Sequence, residues 1–355
     1  MDTLKVGLIG AGTISQFHLE SYQNNKQVEI YAICDINLER AEAAATKYGA
    51  SHFFRLYEEM LADPVIDAVS ICTINHLHAE IAIAALDAGK HVLLEKPLCM
   101  TVEEALLIQA AVKRSGKTLQ VGFVRRFGTN AMVLQQFIEA GDLGEVYYAK
   151  ASFLRRLGNP GGWFADKQLS GGGPLIDIGV HIIDLCWYMM GRPKVKSISG
   201  NTYNKLGNRD HIKNLSKYEA ADYNPLNNMN TVEDLANALI RFENGSSLLI
   251  DVSYSLHAAN DELSIKVFGD KGGAEIEPAL CIVTEKHDTI LNMTPQIDHL
   301  TFDMFHAFQN EIDHFVECCL QGTATKCPVE DGVEIMKLLC GIYESSEKGI
   351  EIHYS

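Results

Sequence analysis

The chain has 355 residues, 47% hydrophobic and 21% charged, a balance that suits a globular protein of two domains and excludes a disordered one. A net charge of −16 makes nucleic acid and anionic membrane surfaces poor partners. The nine cysteines form no C-x-x-C pair, which reads as free thiols of a cytoplasmic protein rather than a disulfide framework. No stretch is expected to span a bilayer, and Met1-Asp2-Thr3 begins no signal peptide.

The first strand, Lys5 to Gly10, runs into Gly10-Ala-Gly12-Thr13-Ile14-Ser15 and then a helix. This is a dinucleotide fingerprint in its proper strand-turn-helix setting: Gly10 makes the tight turn, Gly12 lets a pyrophosphate approach, and the helix start offers free N–H groups. Ser15 stands where the pattern has its third glycine. A second strand, Val28 to Cys34, ends in Asp35, at the distance where an acid grips the ribose diol of an adenosine. A carboxylate there favours NAD over NADP, although Arg40 one turn later blunts the preference. Asp35 has a second reading as the N-cap of the helix to Tyr48.

Strands and helices go on alternating, which predicts a doubly wound parallel sheet. Asp67 to Cys72 is a strand closing in Thr73-Ile-Asn75-His76, so Thr73, Asn75 and His78 face the crevice at the sheet's carboxyl edge. No acid or cysteine accompanies His76 and His78 at ligand spacing, and no metal is expected. The strand Val92-Leu-Leu94 is stopped by Glu95-Lys96-Pro97, which puts two charges at the same edge.

After Arg125-Arg126-Phe127 the rhythm ends. A glycine-rich loop carries Trp163, which reads either as a lid over a sugar ring or as loop packing. Gly171-Gly-Gly-Pro174 opens a helix to Met190 that is apolar nearly all round, except for a polar stripe of Asp177, His181, Asp184 and Tyr188. Such a stripe faces either a buried polar network or a wet cleft. Farther on, Glu243-Asn-Gly245 marks a hairpin within a run of strands, and two helices end the chain.

The GAGTIS turn, the TINHLHAEIAIAALDAGKHVLLEKP run and the DIGVHIIDL segment together resemble the glucose-fructose oxidoreductase / inositol dehydrogenase (Gfo/Idh/MocA) family. The resemblance implies an α/β fold: a Rossmann domain over 1–124, then an α+β domain over 125–355 built on a large, mostly antiparallel open sheet. The last helix would pack back on the first domain, and the sheet would join a homodimer or homotetramer. It implies oxidation of a secondary hydroxyl of a cyclic polyol or sugar by NAD, with Lys96, Asp177 and His181 as catalytic residues and a cis Lys96–Pro97 peptide. Imidazole titration suits His181 as the base, Lys96 would steady the developing alkoxide, and Asp177 would orient them, with Asp184 behind. Whether lysine or histidine takes the proton stays open. The cofactor would be held by Gly10, Gly12, Thr13, Ile14, Asp35, Thr73, Asn75, His78, Glu95 and Lys96, and the substrate also by Arg126 and Trp163. Two other readings are an NAD-dependent glycoside hydrolase working by transient oxidation and a non-catalytic dinucleotide sensor.

Overall fold

Short apolar runs closed by glycine or an acid become strands, and alanine-rich or capped stretches become the helices between them. The computed structural model describes residues 3–216, 218–220 and 230–354. In chain order the first third runs β1 (Leu4–Ile9), α1 (Ser15–Asn24), β2 (Val28–Cys34), α2 (Leu38–Tyr48), β3 (His52–Phe54), α3 (Tyr57–Leu61), β4 (Ala68–Ile71), α4 (His78–Asp87), β5 (His91–Glu95), α5 (Val102–Ser115) and β6 (Leu119–Gly122). Then follow α6 (Thr129–Glu139), β7 (Val146–Leu154), α7 (Lys167–Ser170), α8 (Val180–Met189) and β8 (Val195–Tyr203). Next are β9 (Leu235–Phe242), β10 (Ser247–Ser253), β11 (Glu262–Gly269), β12 (Gly272–Glu277), β13 (Cys281–Lys286) and β14 (Thr289–Met293). The chain finishes with α9 (Met304–Gln321), α10 (Val329–Lys348) and β15 (Ile352–His353).

The chain divides into two compact units, one of Met1–Val124 with Met304–Met336, the other of Arg125–Asp303 with Lys337–Ser355. In the first, six strands lie in the order β3-β2-β1-β4-β5-β6 and the registered pairs are all parallel. This is the order of a dinucleotide-binding sheet. β4 and β6 are buried along their whole length, as strands covered on both faces must be. Ile312, Phe315 and Val316 of α9 join Leu8, Ile33 and Leu93 in one core cluster, so a helix from the end of the chain covers a face of the sheet. Each such side chain contributes about 1.5–3 kcal/mol on burial. Local signals also agree: Thr101 and Glu104 form a reciprocal capping box on α5, and Gly116 closes that helix at φ +65°.

The second unit is built on nine strands in the order β14-β13-β12-β11-β7-β10-β9-β8-β15. The pairing is antiparallel except between β7 and β10. β9 and β10 alternate buried with half-buried residues, so one face is packed and the other is open. Helix α8 contacts β7, β10 and β11. Gly245 turns the β9–β10 hairpin at φ +88°.

Two expectations need correction. The N-cap of α2 is Asn37, whose side chain accepts the N–H of Arg40; Asp35 is engaged elsewhere. And Lys167–Met189, 23 residues of mean hydropathy 1.2, is after all long and apolar enough to cross a membrane. Its most apolar window is 78% buried within the protein, as in a core helix.

Candidate active site

In the first unit the glycine-rich turn is fixed by what surrounds it. Gly10 has φ +92°, and a Cβ there would stand 2.6 Å from the carbonyl oxygen of Cys72, so only glycine lets the ends of β1 and β4 come this close. A Cβ on Gly12 would meet nothing within 4 Å. Ser15, in the third-glycine position, folds its hydroxyl back to donate to Gly12 O at 2.6 Å. No side chain caps α1, so its positive dipole end is open to an anion, although the N–H groups of Gln16 and Phe17 already donate to Thr13 O at 3.3 Å and Ile14 O at 3.1 Å. Thr13 and Ile14 form the step between turn and helix.

Asp35, at the end of β2, is almost wholly buried and fully engaged. Its Oδ2 accepts the N–H of Ala11 at 2.8 Å and its Oδ1 accepts that of Asn37 at 2.8 Å. Arg40 grips the same carboxylate with Nε at 3.0 Å and a terminal nitrogen at 2.8 Å. The acid therefore ties the glycine turn to the second strand, and the half-exposed guanidinium lies over it.

Beyond β4, Asn75 is buried, and among the described residues Thr73 Oγ1 and His76 Nδ1 are buried without a hydrogen-bond partner. Buried polar atoms are rarely left so, and a bound molecule with polar edges would satisfy them. The open space at Gly12, the uncapped helix start and these two atoms fit a dinucleotide. His78 does not face it. Its Nδ1 lies 2.7 Å from Pro97 O and its Nε2 lies 3.1 Å from Thr73 O. Burial pushes the imidazole down, so the ring is neutral and donates through one nitrogen, Nδ1 by the shorter contact. His78 fastens the end of β4 to the Lys96–Pro97 turn, whose peptide is cis. Glu95 is likewise turned inward: its Oε1 lies 2.8 Å from His18 Nε2, and its Oε2 accepts the N–H of Lys96 at 3.2 Å. Lys96 itself is half-exposed.

In the second unit the helix that carries the polar stripe is not uniform. Leu175–Gly179 is one turn of π-helix, and α8 begins only at Val180. Such turns recur at functional sites because they rotate side chains out of the regular helical register. Glu233 secures the start of this turn, accepting the N–H groups of Gly173 at 3.0 Å and Leu175 at 3.2 Å and the Tyr343 hydroxyl at 2.8 Å. Burial holds the Tyr343 and Tyr254 phenols well above their ordinary value, so both remain donors. Tyr254 donates to Asp177 Oδ2 at 2.8 Å.

The stripe splits in two. Asp177 and His181 are half-exposed, whereas Asp184 and Tyr188 are buried. Asp184 pairs with Arg126 at 2.6 Å, and the guanidinium lies 4.4 Å from the Tyr188 ring centre. The buried-network reading therefore holds for Asp184 and Tyr188, while Asp177 and His181 stay half-exposed. Arg126, expected on the substrate, is instead a sealed structural cation with a fully buried side chain. Trp163 sits in the turn Gly162–Ala165, half-buried, its ring stacked on Phe164 at 3.9 Å. His18, Glu233, Tyr254 and Tyr343 escape a reading of the sequence, since each meets its partners across 52 or more positions.

This chain is similar to known oxidoreductases over its full length. It is 33% identical over 355 residues to the D-glucoside 3-dehydrogenase of Escherichia coli (strain K12), covering 98% of this chain and 97% of that one. It is 27% identical to the scyllo-inositol 2-dehydrogenase (NAD(+)) of Bacillus subtilis (strain 168), over 93% and 90% of the two chains. A solved levoglucosan dehydrogenase in complex with NADH and L-sorbose superposes with a TM-score of 0.86 at 25% identity, across 100% of both chains. Residues 4–123 match the oxidoreductase family with an NAD-binding Rossmann fold, and residues 132–275 match the GFO/IDH/MocA C-terminal domain. The chain belongs to the GFO/IDH/MocA family of NAD-binding oxidoreductases.

Proposed function

We propose that the protein oxidises a secondary ring hydroxyl of a sugar or glycoside, with NAD as the preferred acceptor. The observation that carries this reading is the π turn that leaves Asp177 and His181 solvent-facing on a helix otherwise buried, with Asp177 held by Tyr254. When bound, NAD supplies the hydride acceptor. His181 takes the hydroxyl proton, its imidazole suited to that task near neutral pH. Lys96 donates a hydrogen bond to the reacting oxygen and offsets the charge that develops there. Asp177 orients the sugar hydroxyls or the imidazole. The similarity to a glucoside dehydrogenase supports a pyranoside over an inositol. Asp35 supports NAD over NADP, because its carboxylate stands where a 2′-phosphate would add like charge.

The test is NADH formation with methyl glucosides, levoglucosan and inositols, with NADP in parallel. Oxidation of none of them would end the proposal, and glycoside cleavage without net NADH would replace it. Lys96→Met and His181→Asn should each lower kcat by about 10²–10⁴-fold while NADH still binds. Tyr148, Leu239, Leu249 and Phe268 lie on the open face of the large sheet, and we propose that a second copy of the chain covers them. Light scattering showing a monomer would refute this.

A further inference from the structure

Beneath the carboxyl end of β5 runs a line of buried polar groups that the reaction as proposed does not use. Tyr22 and His18 of α1 are 1% and 0% exposed, Ser70 of β4 is 0% exposed and Glu95 is 5% exposed. The contacts are Tyr22 Oη to Ser70 Oγ at 2.7 Å, Ser70 Oγ to His18 Nδ1 at 3.3 Å and His18 Nε2 to Glu95 Oε1 at 2.8 Å. Burial raises the Tyr22 phenol, so it stays protonated and can share its contact with Ser70 in either sense. An ionised carboxylate only accepts, so against Glu95 the His18 Nε2–H is the donor. The other oxygen of Glu95 accepts the backbone N–H of Lys96 at 3.2 Å.

We propose that His18 is a positioning residue for Lys96. It acts through Glu95, whose carboxylate its imidazole fixes and whose second oxygen fixes the Lys96 backbone. A carboxylate buried this deeply must be given donors or move. Here one donor comes from α1 and the other from the residue that carries the reacting cation. Removing the imidazole leaves Glu95 Oε1 without that donor and beside the buried carboxylate of Glu311, whose nearest oxygen is within 4.8 Å of the same cluster, so the end of β5 shifts and Lys96 with it. The inference rests on the role proposed above for Lys96.

The test compares His18→Leu, His18→Gln, Glu95→Gln, the His18→Leu/Glu95→Gln double variant and Lys96→Met. The assay uses NAD and whichever sugar of the panel forms NADH fastest. A displacement of about 1 Å at a reacting group costs roughly a hundredfold. His18→Leu and Glu95→Gln should therefore lower kcat by about tenfold to a hundredfold, with KM for the sugar and the NADH Kd within about twofold of wild type. The double variant should be no worse than either single change, because both cut the same link. His18→Gln, whose amide nitrogen can stand where Nε2 does, should recover most of kcat. Amide hydrogen exchange over residues 93–97 should quicken in His18→Leu and not in His18→Gln; this arm needs no substrate. Unchanged kcat or unchanged exchange in His18→Leu would overturn the proposal, and so would a uniform rise in KM and Kd. If Lys96→Met keeps full activity, the role assigned to Lys96 falls first. If Lys96→Met is inactive while His18→Leu is normal, only the present inference falls.

Discussion

Arg126 and Asp184 form a forked ion pair sealed from solvent, with the guanidinium 2.6 Å from one carboxylate oxygen and 3.1 Å from the other. The pair lies one turn along α8 from His181, so the helix that presents this histidine is anchored by charge as well as by apolar packing. Such a pair stabilises little compared with an apolar replacement, yet breaking it strands a buried charge. Arg126→Met should therefore destabilise the protein by about 3–5 kcal/mol in urea denaturation. Arg126→Met/Asp184→Leu should recover part of that loss. Equal stability for wild type and Arg126→Met would show that the pair anchors nothing.

Tyr254 is buried and donates a hydrogen bond through its hydroxyl to Asp177. Tyr254→Phe removes that donor and little volume. A hydrogen bond to a charged group contributes about 1.5–3 kcal/mol. If the bond fixes Asp177 for the reaction, kcat/KM should fall by about tenfold to a hundredfold, with NADH affinity intact. A fall in melting temperature at constant kcat/KM would make the tyrosine purely structural.

If Asp35 selects the cofactor as proposed, Arg40 is its natural counterpart. The guanidinium is committed to the carboxylate, and Asp35→Ser would release it to pair with a phosphate. The ratio of kcat/KM for NADP to that for NAD should rise by about tenfold or more. NAD turnover should also fall, because the N–H of Ala11 loses its acceptor. A ratio that stays at the wild-type value would remove Asp35 from cofactor selection.

The doubly wound parallel character of the first sheet was legible because strands and helices alternate and its glycine turn has one geometric reason to exist. The recruitment of α9 to that sheet was not, since nothing in Ile312, Phe315 or Val316 says which distant face they cover. The same limit applies to the site. The period of four, three and four along Leu175 to Met190 shows a polar stripe, but not that its lower half pairs with Arg126, 58 residues earlier. Nor can periodicity reveal a π turn, because the sequence pattern assumes a regular helix. His78 shows the converse. A strand-end histidine looks like a ligand, and only the carbonyls of Pro97 and Thr73 reveal it as a fastener.

That fastener gives the fold an acid-sensitive joint. The ordinary value for the His78 imidazole is 6.5, and burial lowers it in the folded protein despite the carbonyl contacts and the nearby Glu95. The folded state therefore binds fewer protons than the unfolded one once the pH drops below about 6.5, and stability falls with it. The stabilisation is complete above 6.5 and is lost as the pH descends through the depressed folded value, at up to about 1.4 kcal/mol per pH unit. His78→Asn can keep a donor to Pro97 O but cannot titrate in this range. The stability difference between wild type and His78→Asn should shift in favour of the variant between about pH 7 and pH 5. His91 and His314, also lowered mainly by burial, are common to both proteins and cancel. A difference that stays flat across that range would mean that burial does not shift the imidazole, and one that moves toward wild type would mean that His78 is protonated in the folded protein and donates to both carbonyls.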